Sequence, residues 1–133
     1  MRFTFVGFQG SSDLSTLPDT WAKLAASALA ELPDHTCVYV PDGVGVTHFV
    51  GISGESLPDH ISTEDFDSLE VEYEFPATRI LTAETEDELS GKIYQFWTKD
   101  HYEVEHAMPG GIEIHKVDPQ GKQYAELILT LSE

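Results

Sequence analysis

Two stretches of this chain place apolar residues three and four apart, the spacing of a helix with one buried face. In the first, Trp21, Leu24, Ala25, Ala28, Leu29 and Leu32 follow Thr16, an N-cap residue, with Pro18 and Asp19 in the first turn. Pro33 closes that run. In the second, Thr85 and Glu88 stand at capping-box spacing, and Glu86 and Asp87 suit the positive end of the helix dipole. Leu89, Ile93, Phe96 and Trp97 form its apolar face.

Elsewhere the period is two. Residues 3–8, 36–40 and 46–53 are rich in aromatic and β-branched side chains and are divided by turn residues such as Pro41-Asp42-Gly43. Between Leu69 and Phe75 the alternation is complete, four apolar residues pointing one way and three acids the other. Strands are also predicted over 77–83, 102–107, 112–117 and 124–131, with turns at Pro109-Gly110-Gly111 and Pro119-Gln120-Gly121. The order is strand, helix, several strands, and then the same again. It reads as a structural duplication meeting near Pro76, with pseudo-repeats over about 1–75 and 76–133 inside a single domain. Runs of antiparallel strands with one helix per half predict an α+β fold, both helices lying on one face of a sheet.

Composition narrows the partners. Hydrophobic residues make up 41% of the 133, a globular value. The apolar runs are strand-length, so no membrane span is expected, and the first residues alternate like a strand rather than a signal peptide. The one cysteine, Cys37, excludes an internal disulfide and a zinc site of several thiolates, and a cytoplasmic location is expected. Twenty-four acids against seven bases give a formal charge of −17. Such a chain repels nucleic-acid phosphates and anionic membrane surfaces, and favours cationic ligands or a basic protein partner. Half of the acids lie between Glu55 and Glu88, where Arg79 is the only Lys or Arg.

Reactive motifs are scarce. Gly51-Ile52-Ser53-Gly54 lacks the spacing of a nucleophile elbow, and no Gly-rich loop precedes a helix. On a strand, His101 would share a face with Glu103 and Glu105 while His106 pointed away, so a metal there would need distant help such as His115. Neither a metal nor a cofactor is expected.

Four segments carry a resemblance to a known family. Val6-Gly7 precedes Leu17-Pro18-Asp19-Thr20-Trp21, and His48-Phe49-Val50-Gly51-Ile52 follows as an aromatic-x-Gly-hydrophobic strand. Residues 69–78 end in Pro76-Ala77-Thr78, and Ile93-Tyr94-Gln95-Phe96-Trp97 leads on to Gly111-Ile112-Glu113-Ile114-His115. In this order they resemble the GyrI-like effector-binding family, the ligand-sensing domain of AraC-type and MerR-type regulators, also found as standalone proteins. The resemblance spans nearly the whole chain. It implies two β-α-β-β modules forming a curved antiparallel sheet, with two helices on one face and a ligand groove on the other. It also implies binding of lipophilic cations or, in the gyrase-inhibitor branch, of a protein. The family motif often reads Glu-x-Tyr, where this chain has Glu113-x-His115. No separate DNA-binding segment is expected among these residues, so a transcriptional role would need a partner or is absent.

Glu113 leads the candidate residues. Ile112 and Ile114 share one side of a strand, Glu113 and His115 the other; with the isoleucines under the helices, the two polar residues would point into the groove. A carboxylate among aromatic rings is poorly solvated, and a bound cation offsets that cost. Trp21, Trp97, Tyr39, Phe49 and Tyr94 are the candidate aromatic walls, although the helix-face position of both tryptophans also suits plain core packing. The expected function is a standalone sensor or sequestering module for a small organic cation. The alternatives are a protein-interaction inhibitor, or a hydrolase of reactive drug-like compounds using Glu113 with Tyr39 or His115.

Overall fold

The computed structural model describes residues 1–43 and 45–132. Strand β1 (Arg2–Gln9) leads into helix α1 (Leu17–Ala25), then β2 (His35–Pro41), β3 (Val46–Ser53) and β4 (Asp67–Glu72). Strand β5 (Pro76–Thr82) leads into α2 (Glu86–Gln95), a π turn (Phe96–Asp100) and the short α3 (His101–Glu103), then β6 (Gly111–Val117) and β7 (Gln123–Thr130). The described residues form a seven-stranded sheet in the order β4-β1-β3-β2-β6-β7-β5, with every pairing antiparallel. The α+β class read from the hydrophobic pattern is therefore observed. No helix among the described residues is long and apolar enough to cross a membrane.

One short connection bends the whole sheet. Strands β4 and β5 lie at opposite edges, yet only residues 73–75 join them. Four Cα steps reach at most about 14 Å, whereas six inter-strand spacings would hold the edges of a flat sheet roughly 29 Å apart. The sheet must curl, and the concave side closes on itself. Phe5, Val38, Phe49, Tyr73, Ile112 and Ile128 fill it as one buried cluster. Gly7 and Gly51 face each other across β1 and β3, where a Cβ on either would collide with the carbonyl oxygen of Val50 or Val6. Two adjacent glycines are what allow the strands this close approach.

The convex side carries the helices. Leu24 of α1 packs with Leu29, Cys37, Val50 and Ile52, and Leu89, Ile93 and Phe96 pack on Ala125, Leu127 and Leu129. Each fully buried Leu, Ile or Phe contributes about 1.5–3 kcal/mol to folding. His48, fully buried on β3, ties α1 down: Nδ1 donates to the Ser11 carbonyl at 2.8 Å, and Nε2 meets Thr20 Oγ1 at 2.7 Å.

Some sequence expectations need correction. Helix α1 ends at Ala25 rather than running to Leu32, because Ser27 turns the chain. Its hydroxyl donates to the Leu24 carbonyl at 2.7 Å and accepts from Leu29 N–H, starting a 3₁₀ turn over Ala28–Glu31. The Thr85 cap is as expected, its hydroxyl accepting from Glu88 N–H at 3.1 Å. Residues 102–107 do not form a strand. The helical path continues past α2 through the π turn into α3, and only Ala107 bridges to Leu131. Phe75, expected on the apolar side of the fourth strand, lies beyond its end and is exposed.

Candidate functional site

Glu113 sits on β6 directly across from Cys37 on β2 and Leu127 on β7. Cys37 belongs to the core under α1 and Leu127 to the core under α2. Glu113 and His115 therefore face the helices, and the isoleucines face the concave core, the reverse of the expected assignment. The groove follows them. It lies between α1 and α2 on the helix-bearing side, while the other side carries the core cluster of Phe5, Val38, Phe49 and Ile112.

This cavity has a volume of about 670 Å³. Leu17 and Trp21 of α1 form one wall, Ile93, Tyr94 and Trp97 the other, and Tyr39 and Glu113 the floor. Among the described residues lining it there is no Lys or Arg, and Glu113 is the only acid. Its carboxylate is almost wholly removed from solvent at 5% exposure. Trp97 Nε1–H donates to Oε1 at 2.9 Å, and His115 Nε2 lies 2.5 Å from Oε2. An ionised carboxylate only accepts, so Nε2 carries the proton in that contact. Two N–H donors thus take the place of the water that burial removes, without a neutralising Lys or Arg.

The rings are arranged around that carboxylate. Trp21 meets the His115 ring edge-on with centroids 5.2 Å apart, and Tyr39 and Trp97 stand 5.4 Å apart. Gly111 makes room for Trp97: a Cβ there would press into the indole ring. The Tyr39 hydroxyl lies beside Glu113 and Cys37, and burial together with those two neighbours pushes its ionisation far above the ordinary phenol range. Burial first, and then the Glu113 charge, likewise pushes the Cys37 thiol well up, which keeps it protonated and unreactive.

Six of the seven residues singled out in the sequence line this cavity: Glu113, His115, Trp21, Tyr39, Tyr94 and Trp97. Tyr94 stands at the rim, 72% exposed. Phe49 is the exception. It pairs with Val38, fully buried in the concave core, because it alternates with His48 and Val50, which face α1. His101 and Tyr102 are wall residues that the sequence reading missed, since a strand was expected there. Helical spacing from Trp97 to His101 was the available signal. In the structure the π turn closes with the His101 N–H bonded to the Phe96 carbonyl, and the His101 and Trp97 rings lie 5.6 Å apart. Such π turns recur at functional sites.

The chain matches no protein-family model, and no curated protein is significantly similar to it in sequence.

Proposed function

We propose that this chain is a small-molecule-binding module that takes a lipophilic organic cation between α1 and α2, over Glu113. One observation carries the reading: a single buried carboxylate at the floor of a roughly 670 Å³ aromatic cavity with no Lys or Arg among its described lining residues. That volume suits a drug-sized ligand. Aromatic faces and a carboxylate with no Lys or Arg beside it among the described residues both attract a poorly hydrated cation and give little to a neutral or anionic one. The His115 Nε2 contact, with the Trp97 N–H on the other oxygen, orients the Glu113 carboxylate at the cavity floor. The formal charge of −17 adds a long-range field of the same sign.

The strand order supports the GyrI-like reading. The runs β1-β3-β2 and β5-β7-β6 mirror each other about the β2–β6 pair, each with a helix between its first two strands in sequence. In this reading they are two β-α-β-β modules of a standalone effector sensor or sequestering protein.

Titration with tetraphenylphosphonium, followed by tryptophan fluorescence, tests the proposal against the neutral triphenylphosphine oxide. Saturable binding of the cation alone is expected, weakened about ten- to a hundredfold in Glu113→Gln. Equal affinity for both compounds, or cation binding untouched by Glu113→Gln, overturns it. Turnover of an electrophilic ligand, lost in the same variant, would support the hydrolytic alternative.

A further inference from the structure

His101 lines the same cavity and has no role so far. It is 5% exposed, and its Nε2 is buried with no hydrogen-bond partner among the described residues. An unpartnered buried imidazole nitrogen is costly, and native proteins keep few of them. Three rings surround it. Phe96 belongs to the core, and Trp97 is held by its bond to Glu113. The third is Tyr102, its ring 5.4 Å from that of His101, on a residue 79% exposed and with no side-chain hydrogen bond among the described residues. Tyr102 is the one neighbour that can move at little cost.

We infer that His101 is a second polar anchor of the cavity. When Tyr102 swings aside, its Nε2 hydrogen-bonds a neutral polar group on the ligand. The inference rests on the cavity reading above and narrows it: the preferred ligand is a lipophilic cation that also carries a hydroxyl, carbonyl or amide. Trp97 links the two anchors, touching Glu113 through Nε1 and His101 through its ring. The cation would lie toward Glu113 and the neutral polar group toward His101. Binding would then satisfy a nitrogen that the free protein leaves unpaired. Discrimination is strongest where a site's buried polar group is otherwise left without a partner.

The experiment uses two permanent cations, tetraphenylphosphonium and its (4-hydroxymethylphenyl)triphenylphosphonium counterpart, which differ by one CH₂OH group. The wild-type chain is expected to bind the hydroxymethyl cation about five- to tenfold more tightly. His101→Phe keeps the ring and removes the nitrogen. It should abolish that preference, bringing the ratio of the two affinities to about one, and melt at or above the wild-type temperature. A residue of purely packing importance would change both affinities alike and leave their ratio as it was. Tyr102→Ala should keep the preference. Should His101→Phe fail to fold, the imidazole NMR resonances of wild-type His101 decide, since they should shift with the hydroxymethyl cation beyond any shift with the plain one. Equal affinities in the wild type, or an undiminished preference in His101→Phe, overturn the inference while the cavity reading stands. Binding of neither cation overturns both.

Discussion

Trp97 Nε1–H donates to Glu113 Oε1 at 2.9 Å, and this bond fastens the π turn after α2 to the middle of the sheet. It also holds the indole over Gly111 and against Tyr39, so the carboxylate and the cavity wall are positioned together. Trp97→Phe retains an aromatic ring but leaves Oε1 without that donor. A hydrogen bond to a charged group contributes about 1.5–3 kcal/mol, and urea unfolding should show a loss in that range. Tetraphenylphosphonium affinity should fall as well. An unchanged unfolding midpoint would mean that the bond contributes nothing to stability.

Two glycines should respond in opposite ways to the same methyl group. At Gly51 an added Cβ collides with the backbone of β1, which cannot retreat without breaking the sheet pairing. Gly51→Ala should cost about 2 kcal/mol or more, in the range of overpacked core sites. Gly91 lies within α2 with nothing inside 4 Å of the place a Cβ would occupy, so only helix propensity is at stake. Gly91→Ala should stabilise by about 0.5–1 kcal/mol. Thermal or urea melts of the two variants check both signs.

Much of the fold was legible because its elements are short and strongly periodic. The class, both helices and the strands other than residues 102–107 follow from hydrophobic spacing. The pairing of Glu113 with His115 on one side of a strand follows from the period of two. Which side carries the helices does not. Strands β2, β3 and β6 are buried on both faces, so Ile112 and Glu113 are both enclosed and alternation names no outer face. The curl that fills the concave side depends on β4 and β5 being opposite edges, a long-range fact absent from local pattern. Phe49 was misplaced for the same reason. His101 was lost because Tyr102-Glu103-Val104-Glu105 alternates like a strand, and a π turn leaves no trace in a 3.6-residue period.

Alkaline pH should weaken the fold through Tyr73. Burial raises its phenol from the ordinary 10 to about 12. Between those values the unfolded chain releases the proton and the folded chain keeps it, so stability falls as pH rises through that window. Below pH 10 this contribution is fully present. A two-unit shift corresponds to about 2–3 kcal/mol across the window. Tyr39, also raised by burial, acts in the same direction. Urea unfolding between pH 9.5 and 11.5 should show the decline, and Tyr73→Phe should remove part of the slope. A slope unaltered by Tyr73→Phe would exclude Tyr73 as its source.

Cys37 offers a direct report on the floor of the cavity. Its Cα stands across from that of Glu113, its side chain is fully buried, and desolvation holds the thiol protonated. Thiol reagents attack the thiolate, so the folded state should be inert at pH 8 and labelling should require opening of the sheet under α1. The rate with a disulfide reagent such as Ellman's should therefore track the population of opened molecules and rise steeply with urea. A ligand that binds only the closed state lowers that population by the factor 1 + [L]/Kd. Tetraphenylphosphonium at ten times its Kd should thus slow labelling about elevenfold in the wild type, with a smaller effect in Glu113→Gln at the same concentration. Rapid labelling of the native protein would show that the strand beneath Glu113 is not closed. Slowing that is equal in both variants would place the cation somewhere other than over the carboxylate.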